Sequence, residues 1–336
     1  MQGLFSSKFI CVLNLMLVSA ALVLCVPSFA ADHTGNHESA KVGLGIVDTL
    51  AVKHEGEIGG DTAKRNSGAA TVLNSPEVPE ENRAVWENLA PGLELAVLDF
   101  QSEDKIVVTV LRIDPDLYEF SLYSSLWDEV PPRPLLDWAD AYDLLAAINA
   151  CMFLPDGSST AYMRRGAQQN RSTVADKYGG FFVFGTAEPG LPKAAILDKT
   201  SDDWQSLLPK YDVAIQNMRL IGNDGEQLWP EDGPLHAVAA IGQDVVGNIL
   251  FMHCRSAINV HRLVSALLAS PSLNLSRAIY VEGGSQAALT LRLPGQVSTW
   301  TGRRPADLFF RGSGAKYSLP NIVGIRPRQA AFETIN

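Results

Sequence analysis

Four cysteines in 336 residues is few, and only Cys151 and Cys254 lie beyond the first 31 positions. A fold stapled by many disulfides is excluded; the pair either forms one bridge in an oxidising compartment or supplies two small apolar side chains to strands. Basic residues are in deficit, 27 Lys and Arg against 37 Asp and Glu for a net charge of −10. That balance argues against a nucleic-acid partner, because affinity for a phosphate backbone comes from clustered cations. Beyond Val26 no apolar run is long enough to span a bilayer. No self-similarity at periods of about 20 to 50 residues is visible, which removes solenoids and propellers. The chain also has no G-x-S-x-G elbow, no H-E-x-x-H pair, no Walker loop and no G-x-G-x-x-G. Ser313-Gly314-Ala315-Lys316 fits S-x-x-K, but without a companion K-T-G it reads as coincidence.

What is present is 46% hydrophobic and 19% charged residues, enough to build a full core. Lys8, the apolar stretch Phe9 to Val26, and then Pro27 with Ser28-Phe29-Ala30 predict a signal peptide over 1–31 and a periplasmic or secreted protein. Membrane contact is expected only where that segment stays uncleaved. Residues 32–80 are poor in aromatics and lack a sustained period, which predicts a solvated linker. His33 and His37 within it lack a converging third ligand, and no metal or cofactor is expected. A single domain is expected over 81–328, with a tail at 329–336.

Within that domain, Lys105 to Ile113 and Tyr118 to Ser124 read as two strands around Asp114-Pro115-Asp116. Leu135 to Ala146 reads as a helix running into the apolar strand Ala147 to Phe153, and Asn259 to Ser270 as a helix with Asn259 as its N-cap. Short apolar strands are expected at Gly180 to Phe184, Ala194 to Leu197, Val213 to Gln216, Val238 to Ile241, Ile249 to His253 and Ala278 to Val281. The fold class expected from this mixture is α+β, with helices packed on a largely antiparallel or mixed sheet.

Two places carry candidate chemistry. Ala278 to Val281 ends abruptly in Glu282-Gly283-Gly284-Ser285-Gln286. The glycines permit positive φ and close approach to a ligand, successive N–H groups make an anion-binding concavity, and a carboxylate stands at the strand end. A tight turn with a merely solvated glutamate is the plainer alternative. Asn149 lies inside the apolar run AAINACMF, where an amide must find partners or cost roughly 1–3 kcal/mol; it is a structural hydrogen-bonder or a site residue. Gln216 and Asn217 close another apolar strand in the same way, with Arg219 two positions on. Polar groups gathered at strand ends make the rim of a pocket.

These segments resemble the phosphodiester glycosidases, whose eukaryotic member uncovers mannose 6-phosphate by removing N-acetylglucosamine. The likeness runs in order through LRIDPDLYEFSL, AAINACMF, YDVAIQNMRLIGNDGEQLWP, AAIGQDVVGNILFM, RAIYVEGGSQAAL, TGRRPADLFF and LPNIVGIRP, roughly residues 95 to 328. It implies a hydrolase that cleaves the sugar C1–O bond of a glycosyl phosphodiester. Glu282 would be nucleophile or base, with the backbone of Gly283 to Ser285, Gln286 and Arg164 near the phosphate. Asn149, counted with Glu282 as catalytic, and Gln216 would contact sugar hydroxyls, and Asn217 would be a further substrate-binding residue. The sequence departs from the family pattern in three places: Glu282 stands for an Asp, Met218-Arg219 for a Gly-Pro, and Val238 for a basic residue whose charge His236 replaces in part. A non-catalytic binding module for anionic glycans is the competing expectation, and cleavage of the P–O bond a third.

Overall fold

Alternation of apolar residues at period two dominates the chain and builds sheets on sheets. The computed structural model describes residues 84–100, 106–222, 225–302 and 317–329. The expected signal peptide, linker, S-x-x-K match and nearly all of the tail lie outside the described residues. All of the described residues belong to one compact unit.

Sixteen strands run through the described residues: β1 (Glu87–Ala90), β2 (Leu93–Phe100), β3 (Ile106–Ile113), β4 (Tyr118–Ser124), β5 (Ala146–Asn149), β6 (Met163–Arg165), β7 (Gln168–Arg171), β8 (Gly180–Phe184), β9 (Ala194–Asp198), β10 (Val213–Ile221), β11 (His236–Asp244), β12 (Ile249–Ile258), β13 (Leu275–Gly283), β14 (Ala288–Leu293), β15 (Gln296–Thr301) and β16 (Asn321–Pro327). Three helices accompany them: α1 (Leu135–Ala141), α2 (Trp204–Leu207) and α3 (Val260–Leu268). The larger sheet follows the order β1-β2-β3-β12-β11-β13-β10, and β10 then pairs with both β6, which leads to β7, and β8, which leads to β9. The smaller sheet has the order β15-β14-β5-β16-β4. All pairings between these strands are antiparallel.

The central core lies between the two sheets. Phe251, Ile279 and Val281 from the larger one meet Phe120, Ile148, Leu289 and Val323 from the smaller, as in a β-sandwich. The outer face of the larger sheet is covered by Val260, Leu263, Val264 and Leu267 of α3, packed against Ala240, Met252 and Tyr280. Leu135, Trp138 and Ala139 of α1 cover the outer face of the smaller.

This overturns the helix-packed α+β expectation: the fold is mostly β. The helices have seven, four and nine residues, and none of their residues enters the central cluster. The expected helix over Leu135 to Ala146 stops at Ala141 because Asp143 adopts a left-handed φ of 48° and the chain turns into β5. Conversely, the strands outrun their apolar centres. β10 continues to Ile221, β11 begins at His236, and β12 continues to Ile258, because backbone pairing extends where polar side chains reach the rim. The described residues contain no helix long and apolar enough to cross a membrane. Cys151 and Cys254 are buried free thiols rather than a bridge.

Candidate active site

Alternation along β13 places Ile279 and Val281 toward the central core and Ala278 and Tyr280 toward the outer face. Continued unbroken, it would send Glu282 outward. A register shift intervenes, since Ala240 pairs with Tyr280 but Ala239 pairs with Glu282, leaving Val281 as an extra residue. Residues directly opposite in a ladder share a face, and Ala239 belongs to the central cluster. The bulge therefore turns the Glu282 carboxyl inward, toward the end of the space between the sheets.

Glu282 is 8% exposed. Its Oε1 accepts the N–H of Gly283 at 2.9 Å, yet burial outweighs that bond and raises its pKa to about 7. Its negative charge adds to the burial that raises the Cys151 thiol to about 12, and to the burial that chiefly raises the phenol of Tyr280.

Gly283 is required sterically. A Cβ there would collide with the Tyr280 hydroxyl and lie 2.7 Å from His236 Cδ2. Gly284 has φ +67°, the left-handed region that glycine adopts freely. It opens a single 3-10 turn over Gly284–Gln286, closed by Ala287 N–H to the Gly284 carbonyl at 3.3 Å. The chain then enters β14 in the other sheet.

That turn is clamped from both sheets. Asn149, at the end of β5, donates Nδ2–H to the Gln286 carbonyl at 3.0 Å and accepts the Ala288 N–H on Oδ1 at 2.7 Å. His253 of β12 is 3.2 Å through Nε2 from the Ala287 carbonyl. A carbonyl only accepts, so Nε2 carries the hydrogen. His253 lies opposite Ala239, which in turn lies opposite Glu282. Burial lowers its pKa to about 4, and the neutral ring leaves Nδ1 buried without a partner among the described residues.

The other expected site residues divide. Asn217 donates to the Ala150 carbonyl at 3.1 Å and leaves a buried Oδ1 with no partner among the described residues. Gln216 is saturated: Oε1 accepts from Ala175 N–H at 2.8 Å, and Nε2 donates to the Ala175 and Tyr178 carbonyls, each at 2.7 Å. It staples the 175–178 segment and has no function left for a sugar. Arg164 is equally committed, donating to the carbonyls of Leu208, Tyr211 and Asp212. It pairs opposite Ala214, whose cluster is separate from the central one, so it is not brought to Glu282. His236 contacts the Tyr280 hydroxyl at 3.2 Å on the far side of Gly283, and burial lowers its pKa. Ser285 and Gln286 are half-buried in the turn itself.

Sequence reasoning missed His253, although its signal was the one that drew attention to Asn149: a polar residue inside an apolar run, here ILFMHC. It also missed Tyr280, Trp229 and the lysines of a cleft beside them. That cleft holds about 570 Å³ and includes Lys177, Lys199, Arg219 and Trp229. A smaller cavity of about 230 Å³ is lined by Met152, His236, Tyr280 and Val260 among others, and shares Met218, Trp229 and Pro230 with the first. Neither is lined by Glu282, Asn149 or Gln216. No group of three or more His, Cys, Asp or Glu among the described residues is arranged to hold a metal ion.

A family model described as phosphodiester glycosidase matches residues 142–326. Among solved structures the chain is similar to the catalytic domain of zebrafish N-acetylglucosamine-1-phosphodiester alpha-N-acetylglucosaminidase, auto-inhibited by its pro-peptide. The TM-score is 0.51 at 13% identity, over 72% of this chain and 86% of that one. It is also similar to a hypothetical protein from Synechocystis, with TM-score 0.49 and 13% identity over 73% of this chain and 64% of that one. At this identity the zebrafish likeness bears on the fold alone. No curated protein matches the sequence.

Proposed function

The chain belongs to the phosphodiester glycosidase family, and from that premise we propose that it is an exported hydrolase acting on the glycosidic C–O bond of a sugar 1-phosphodiester, with Glu282 as its general base. The observation that carries this reading is a single carboxyl, buried at the end of β13 beside a glycine turn, with its pKa raised to about 7. A base works best when its pKa lies near the operating pH.

The phosphate monoester that departs is already a good leaving group and asks for hydrogen-bond donors more than for a strong acid. The burden falls on water activation and on stabilising an oxocarbenium-like transition state. A retaining double displacement uses two carboxyl groups roughly 5–5.5 Å apart. With Glu282 as the base, the step is direct attack on C1 by a water that Glu282 deprotonates, which displaces the phosphate monoester with inversion. Asn149 and His253 act on the reaction by fixing the turn that follows the base. Export rests on the signal-like first 31 residues.

The test is hydrolysis of a p-nitrophenyl glycosyl phosphodiester by wild type and Glu282→Gln. The variant is expected to lose about 100-fold or more in kcat, the scale of a general base, and full activity in it would refute the assignment. In ¹⁸O-water the label is expected in the sugar; label in the phosphate points to P–O cleavage instead. The rival reading, a non-catalytic module for anionic glycans, draws support from the full commitment of Gln216 and Arg164 to backbone partners. Ligand-induced thermal stabilisation without turnover would select it.

A further inference from the structure

The cleft of about 570 Å³ plays no part in the functional reading, and it is shut off from the proposed base. Trp229, on its wall, packs with the cluster on the outer face of the larger sheet, its ring 5.2 Å from that of Tyr280. The Glu282 carboxyl turns the other way, into the space between the sheets. Whatever the cleft holds is therefore held apart from the scissile bond.

In a protein of net charge −10, three cations line this cleft, Lys177, Lys199 and Arg219, against one lining carboxylate, Asp176. Asp198 takes contacts of 3.0 and 2.8 Å from Arg219, but both come from Nη1, as does the 2.8 Å bond to Thr200 Oγ1. Among the described residues Nε and Nη2 have no hydrogen-bond partner. Their N–H groups lie on one side of the planar guanidinium and form a fork for two oxygens of a single oxyanion. The arginine is held in this posture at both ends. The Trp229 Nε1–H donates to its carbonyl at 2.8 Å, and Gly179 leaves room for its side chain, since a Cβ there would lie 2.5 Å from Nε and 3.0 Å from Cδ. Lys199 gives hydrogens to the Ala175 and Asp176 carbonyls at 3.1 and 3.4 Å, and an ammonium has a third to give. Lys177 is exposed and makes no hydrogen bond or ion pair to any described residue.

We propose that this cleft is a second, non-catalytic binding site whose ligand is a phosphorylated sugar. The Arg219 fork and the two lysines supply donors for the phosphate. Met218, Leu228 and the Trp229 ring supply an apolar wall on which the C–H face of a sugar ring is buried, and Asp176 supplies an acceptor for a hydroxyl. The volume lies within the roughly 300–1,000 Å³ of sites that take small organic ligands. Inorganic phosphate would use the cations alone, and a neutral sugar only the wall and Asp176.

The experiment is calorimetric titration of the whole protein with glucose 6-phosphate, glucose and inorganic phosphate, with the amide resonances of Lys177, Gly179 and Thr200 reporting where the ligand sits. Glucose 6-phosphate is expected to bind about tenfold more tightly than either of the others, the scale of a hydrogen bond to a charged group, with its advantage over glucose shrinking as salt rises. Lys177→Glu, at an exposed side chain, is expected to weaken it about fivefold, the scale of one solvent-facing ion pair. Arg219→Lys keeps the charge but loses the fork, and is expected to weaken it as well. Glu282→Gln is expected to bind it as wild type does. Unchanged affinity in either cleft variant, absence of binding, or inorganic phosphate bound as tightly as glucose 6-phosphate overturns the proposal. So does affinity lost in Glu282→Gln, which would put the ligand at the base. None of these readouts depends on whether a phosphodiester is hydrolysed, so the site and the catalytic reading stand or fall separately.

Discussion

Glu282 and His253 are opposite in their titration. The carboxyl has its pKa raised to about 7 from an ordinary 4.5, so its neutral form is favoured by folding. Its contribution to stability is complete below pH 4.5 and is lost as pH rises through 7. The imidazole has its pKa lowered to about 4 from 6.5; its contribution is complete above pH 6.5 and is lost as pH falls through 4. The two slopes oppose each other between about pH 4.5 and 6.5. Glu282→Gln is therefore expected to remove the decline on the alkaline side and leave the acid side intact, measured as denaturant midpoints across pH. His253→Gln keeps an N–H near the position of Nε2, whereas His253→Leu leaves the Ala287 carbonyl without its donor at a cost of roughly 1–3 kcal/mol, partly offset because the unpartnered Nδ1 goes too. The expected outcome is kcat in the order wild type, Gln, Leu, with the Gln variant nearer to wild type; equal losses in both would show that the bond to Ala287 does not matter. Asn149 was legible as a buried amide in an apolar run, but its task of clamping Gln286 and Ala288 was not, because those partners lie 137 and 139 residues away.

Elements whose signals are local were readable. β4 and β8 have the boundaries that their apolar residues predict. The Asn259 cap accepts from the N–H groups of His261 and Arg262 at 2.7 and 3.4 Å, as an N-cap should. Asn259 also donates to the Glu231 and Gly233 carbonyls, so Asn259→Ala is expected to cost about 2 kcal/mol, the upper end for caps, measured by urea denaturation. Polar strands such as β7, QQNR, exist only because a neighbour pairs with them, and no period within four residues announces that. The bulge at Val281 is likewise a property of the pairing with β11, invisible along one chain. Gly283→Ala tests the close packing beside it. Its φ of −134° suits alanine, so the penalty is the collision with the Tyr280 hydroxyl and the crowding of the His236 ring. A loss of about 1–3 kcal/mol is expected, the range for overpacking, with partial recovery in Gly283→Ala/Tyr280→Phe, where that hydroxyl is absent.

At the scale of the molecule, two sheets carry the core and the helices cover outer faces, so neither thiol is needed as a covalent tie. Cys151 and Cys254 are buried and free, with pKa values raised to about 12 and about 11 by burial. Reducing agent is expected to leave the melting temperature unchanged, and native protein to resist thiol reagents at these two positions until it unfolds. A large downward shift with reductant would contradict both statements. The segment from Glu282 to Ala288 crosses from one sheet to the other and is gripped by a side chain from each. The placement of the Glu282 carboxyl, the proposed base, is thus only as firm as the seam between the two layers. Gentle heating that lets the layers slip, while each ladder still gives its far-ultraviolet signal, should silence turnover first, and the gap between those two temperatures would gauge how tightly the layers are joined.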